Sequence, residues 1–124
     1  MENKIASVVV NACFEIHSKL GPGLFESVYE EILVYELQQA GLNVERQIYL
    51  PITWKSLHCD SAFRADVVVE NKVILELKAV EKIDKIHQKQ LLTYLKLTGL
   101  KLGLLINFNV PLIKDGIQRI ANNM

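Results

Sequence analysis

The chain has 124 residues, 50% of them hydrophobic and 23% charged, which excludes a disordered or fibrous protein and fits a single domain over residues 1–124. Cationic and acidic side chains number 14 each, for zero net charge, and this argues against a nonspecific nucleic-acid coat protein. No apolar run is long enough to span a bilayer, and Met1 leads into Glu2, Asn3 and Lys4 rather than a secretory signal, so no membrane association and a cytoplasmic location are expected.

From Ile5 onward the apolar residues Val8, Val9, Ala12, Cys13, Ile16 and Leu20 recur at helical spacing, predicting a helix from about residue 3 to Leu20. Gly21, Pro22 and Gly23 stop it. A second helix is expected from about Leu24 to Ala40, ended by Gly41. Val44 to Trp54 alternates like a strand, and Pro51 within it suggests an edge or a bulge. Phe63–Val69 and Val73–Val80 are β-branched runs around Glu70, Asn71 and Lys72, which predicts a hairpin. Asp84 as N-cap and Gly99 as stop delimit a third helix. Leu102–Phe108 reads as a strand covered on both faces. Nothing is assigned after Pro111. The order α, α, β, β, β, α, β predicts an α/β sandwich: a mixed sheet of about four to five strands with a ββ meander and helices on both faces.

Cys13 and Cys59 belong to no CxxC pair, and His17, His58 and His87 form no HxxxH or HxH pair, so zinc and histidine-metal sites are not expected. Residues 1–42 hold two lysines against six glutamates, whereas residues 72–101 hold seven lysines against three acids, which permits a positive surface around the C-terminal half. Lys82, Lys85, Lys89 and Lys96 form one helical stripe, most simply a solvated face.

Three charged residues interrupt apolar strands. Glu76 and Lys78 lie two apart, on the same side of their strand, and Asp66 interrupts the preceding one. Ionised groups in buried strands are costly unless paired and gather mainly where chemistry needs them. A two-residue loop would put Asp66 and Glu76 on opposite sides. A three-residue loop, Glu70 to Lys72, pairs them, with Asn71 or Lys72 left-handed and both carboxylates facing the second helix. Two adjacent carboxylates make a hard oxygen site of the kind Mg²⁺ or Mn²⁺ prefers, and an adjacent lysine supplies positive charge for phosphodiester hydrolysis. An ion-pair cluster in a half-exposed sheet is the plainer alternative.

On the third helix Gln90 and Tyr94 fall within the apolar arc one turn apart, with His87 beside them. An inward glutamine needs partners. His87 equally suits a polar position in the first turn, and Tyr94 equally suits the core. Glu26 lines up with Tyr29, Leu33 and Leu37 on the buried stripe of the second helix, although a first-turn glutamate also serves the helix dipole. Glu30, Glu31 and Glu36 read as solvated surface.

Gly23, Glu26 and Tyr29 within GLFESVY spell the pattern of the GxxExxY proteins, a group within the PD-(D/E)XK nuclease-like superfamily, and the resemblance runs on through RADVVVENKVILELKAVEKI and HQKQLLTYLKLTGLKLGLLINF. It implies a restriction-endonuclease-like core. Asp66, Glu76 and Lys78 match the catalytic positions, Glu26 the extra acidic residue, and Gln90 with Tyr94 the QxxxY element of the RecB-like branch. Ala65 stands where the superfamily often has proline. The implied function is Mg²⁺- or Mn²⁺-dependent hydrolysis of DNA or RNA, with Asp66, Glu76, the Leu77 carbonyl and Glu26 as metal ligands and Gln90, Tyr94 and His87 in support. The alternative is an inactive nuclease-like scaffold that binds nucleic acid or protein. The small domain leaves little surface for reading bases, so a homodimer or a targeting partner is expected to supply any selectivity.

Overall fold

A computed structural model describes all 124 residues. Two helices come first, α1 (Glu2–Leu20) and α2 (Glu26–Gln39), then a meander of β1 (Val44–Trp54), β2 (Leu57–Val69) and β3 (Val73–Lys78). Helix α3 (Lys85–Thr98) crosses over to β4 (Leu102–Asn107), and a short 3-10 turn (Ile113–Gly116) leads into β5 (Ile117–Ala121). The sheet runs β1-β2-β3-β4-β5, antiparallel except for the parallel β3–β4 pair. The fold is thus the expected α/β sandwich, and the unassigned tail supplies the fifth strand.

Sequence periodicity explains the layers. Ile5, Val9, Cys13 and Ile16 of α1 and Tyr29, Leu33 and Leu37 of α2 are buried at helical spacing against Val67, Leu75, Leu104 and Ile106 of the sheet, in a core of 19 buried residues. Each large aliphatic side chain fully buried there contributes roughly 1.5–3 kcal/mol. On the opposite face α3 contributes Leu91 and Leu95 to a core of six buried residues that includes Ala65, Val68, Ile74 and Leu105. Both central strands are covered on both faces, which is why β3 and β4 read as nearly unbroken apolar runs.

Pro51 lies on an edge strand, and the β1–β2 register shifts between Leu50 and Ile52; a residue without an N–H is tolerated in just such a place. Helix α3 starts at an Asp84 cap whose Oδ1 accepts from the Ile86 amide at 3.2 Å, and it ends at Gly99 with φ of 77°.

Two loops fix how α2 and the hairpin enter the site. The Tyr29 hydroxyl donates to the Gly21 carbonyl at 2.6 Å and accepts from the Leu24 amide at 3.2 Å, while its ring stacks on Phe108 at 4.4 Å between centroids. The α1–α2 connection is therefore pinned to the core. In the hairpin, Glu70 and Asn71 adopt φ of 54° and 52°. The left-handed pair is thus Glu70 and Asn71 rather than Lys72, whose amide instead closes the turn onto the Val69 carbonyl at 2.9 Å.

Candidate active site

The β2–β3 ladder pairs Val69 with Val73, Val68 with Ile74 and Val67 with Leu75. This leaves the three-residue loop that sets Asp66 opposite Glu76. At that level the regular ladder ends and side chains take its place. The Asp66 amide donates to Glu76 Oε2 at 2.9 Å, and the Leu77 amide donates to Asp66 Oδ2 at 2.9 Å. Each carboxylate thus bridges to the backbone of the other strand, and the two lie together in the fork between β2 and β3.

The fork coincides with a break in strand alternation. Residues two apart on a strand share a face, yet Val67 packs in the α1/α2 core and Ala65 in the α3 core. Across the sheet, Arg46 pairs with Val67 and Ile48 with Ala65, and Gln47 between them has φ of 51°. Both strands therefore depart from regular geometry at the level of Asp66. Asp66 turns into a cleft of about 370 Å³ beneath α2, shared with Glu26, Glu30, Arg46, Gln47 and Arg64. Glu76 does not line that cleft. It alternates with Leu75 and Leu77 of the α1/α2 core, so the expectation that both carboxylates face α2 is corrected: Asp66 does, and Glu76 meets it from the other side of the fork.

Burial dominates the electrostatics. Glu76 is 8% exposed, and desolvation, followed by the negative charge of Asp66, pushes its carboxyl up from the ordinary 4.5 to about 8. Desolvation also raises Asp66, with the Leu77 amide opposing it. Lys78 favours the ionised form of both without offsetting burial. Two crowded carboxyls held above their usual range need either a proton or a cation between them.

Tyr94 sits within the field of this pair, its phenol raised first by burial and then by Glu76 and Asp66. Its ring stacks on Phe63 at 3.9 Å. Glu26 stands on the cleft wall, where its Oε2 accepts from the Ala79 amide at 3.2 Å. No group of three or more His, Cys, Asp or Glu is gathered closely enough to hold a metal ion; the structure interlocks Asp66 with Glu76 through the backbone and sets Glu26 with Asp66 on the cleft wall. His87 caps α3, with its Nδ1 accepting from the Asp84 amide at 3.3 Å. Gln90 is exposed, not turned inward as expected, because α3 fully buries only Leu91 and Leu95 and its apolar arc is narrower than its residue spacing predicts.

Several contributors escaped the sequence reading. Glu30, read as solvated, is 5% exposed and accepts from Arg46 Nε at 3.0 Å, Arg46 Nη2 at 2.8 Å and Gln47 Nε2 at 2.6 Å. Its position ahead of Leu33, Val34 and Leu37 at core spacing was the available signal. Asn107 clamps the exit of β3, accepting from the Val80 amide at 3.1 Å and donating to the Val80 carbonyl at 2.9 Å.

A family model described as the PD-(D/E)XK nuclease superfamily matches residues 3–120. Comparisons with curated proteins and with solved structures find no significant match. No helix is long and apolar enough to cross a membrane.

Proposed function

The chain belongs to the PD-(D/E)XK nuclease superfamily, and from that membership we propose that it hydrolyses phosphodiester bonds of DNA or RNA with the help of Mg²⁺ or Mn²⁺. The observation that carries this reading is the interlocked, desolvated Asp66–Glu76 pair with Lys78 one strand repeat away. PD-(D/E)XK nucleases typically use divalent metal ions, and the donor set fits one: hard oxygens on two carboxyls that repel each other until something positive lies between them. Asp66 and Glu76 would hold the cation with the Leu77 carbonyl, and Glu26 would add a further acidic group from the cleft wall. When bound, the cation supplies charge neutralisation at the phosphate and a more acidic water.

The chain's own residues do the rest. The Leu77 and Asp66 amides orient the two carboxylates. Lys78 orients the attacking water and opposes the negative charge that develops on the phosphate. Tyr94 and the exposed Gln90 contact the substrate, and His87 supports them by fixing the start of α3. The Gly23, Glu26 and Tyr29 pattern supports reading the chain as one of the GxxExxY proteins, and a homodimer or a separate partner supplies targeting.

The test is cleavage of varied DNA and RNA oligonucleotides in Mg²⁺ and Mn²⁺. Lys78→Met is expected to lower the rate by about 10²-fold or more while sparing cation affinity, the scale of losing one electrostatic stabiliser. Added Mg²⁺ should raise the melting temperature of wild type but not of Asp66→Asn. If wild type neither binds the cation nor cleaves, and Asp66→Asn is the more stable protein, the fork is a strained remnant and the scaffold reading replaces this one.

A further inference from the structure

The cleft beneath α2 holds two guanidinium groups that the structure treats differently. Arg46 donates through Nε and Nη2 to Glu30, so its charge is neutralised within the protein. Arg64 lies two residues before Asp66 on β2, lines the same cleft and is exposed. The ion pairs of the protein are Met1–Glu2, Lys19–Glu15 and Arg46–Glu30, and Arg64 takes part in none of them.

The neighbouring acids do not claim it either. Asp66 already accepts from the Leu77 amide, Glu26 from the Ala79 amide, and Glu30 from Arg46 and Gln47. Arg64 is thus an unpaired cation on the wall of the cleft. A guanidinium presents a planar fork of donors that matches two phosphate oxygens, and it is more weakly hydrated than an ammonium group, so it gives up water to an anion more readily.

We propose that Arg64 grips a backbone phosphate of the nucleic acid, adjacent to the phosphodiester that lies against Asp66 in the same cleft. On β2 the gripping residue stands two positions before the first carboxylate, on the same cleft. Such a contact recognises the sugar–phosphate chain and not the bases, so it positions the substrate without selecting a sequence. The assignment rests on the nuclease reading.

The experiment measures binding of labelled DNA and RNA oligonucleotides to the full chain at several salt concentrations, in a Lys78→Met background that suppresses cleavage. Replacing Arg64 with Gln should weaken binding about tenfold or more and reduce the salt dependence by about one phosphate contact. Arg64→Lys should restore the salt dependence but only part of the affinity, since the charge returns without the fork. The Mg²⁺-induced rise in melting temperature should be the same in Arg64→Gln as in its parent. Equal affinity and equal salt dependence in parent and Arg64→Gln would overturn the assignment while leaving the nuclease reading intact. A parent that binds neither DNA nor RNA at low salt would instead remove the nuclease reading, and the assignment with it.

Discussion

Glu30 shows how much one side chain settles here. Its carboxylate draws Arg46 and Gln47 toward α2, at the level where β1 leaves regular geometry opposite Asp66. Truncating it would strand Arg46 and Gln47, but Arg46 is 42% exposed and regains water, so Glu30→Ala should destabilise by about 2 kcal/mol rather than the larger cost of breaking a fully buried pair. Urea unfolding checks this, and an unchanged midpoint would mean that the three donors re-solvate freely. Cys13 makes a different prediction. Burial pushes its thiol from 9.0 up to about 12, so between those values the folded protein keeps a proton that the unfolded chain has released. Its contribution to stability is therefore complete below pH 9 and is lost as pH rises toward 12. At mildly alkaline pH an alkylating reagent should label the half-buried Cys59 and spare Cys13 until denaturant is added. Equal labelling rates in the native protein would refute it.

At the scale of elements, helix α3 seats on β4 through Gly103. A Cβ at that position would lie 2.9 Å from Leu91 Cγ, and Leu91 is fully buried. Gly103→Val should therefore cost about 1–3 kcal/mol by overpacking, read as a lowered urea midpoint, and a neutral result would show that α3 lifts to make room. The elements themselves were largely legible in the sequence, because helical spacing from Ile5 to Ile16 and the Asp84 and Gly99 punctuation are local signals. Pairing Asp66 with Glu76 was also legible, since the hairpin loop offered only two registers. What was hidden depends on departures from periodicity. The turn of Asp66 toward α2 needs the break at Gln47, which no pattern of alternation announces. Glu30 was masked by its neighbour Glu31, and its partner Arg46 comes from an edge strand. Strand β2 begins at Leu57 rather than Phe63 because the far end of the β1–β2 hairpin stands mostly in solvent, as exposed Trp54 and Leu57 show, and so carries no hydrophobic alternation. Strand β5, half-exposed at the other edge, left an equally faint signature.

Across the whole molecule the sheet separates two hydrophobic cores of unequal size, 19 buried residues under α1 and α2 against six under α3. Free energy of opening follows buried apolar contact, so the two faces need not come apart together. Native-state hydrogen exchange should find the α3 amides opening at a lower free energy than those of β3, β4 and α1, and uniform exchange across both faces would show one cooperative unit instead. The groups that leave with α3 are Tyr94, Gln90 and the lysines of its outer face, while Asp66, Glu76, Glu26 and Arg64 stay on the more stable body. Tyr94 and Gln90, the α3 residues proposed to meet the substrate, would thus ride on the element expected to open first. A transient opening would widen the approach to the fork from the Glu76 side, letting a bulky polymer enter sideways instead of being threaded from one end.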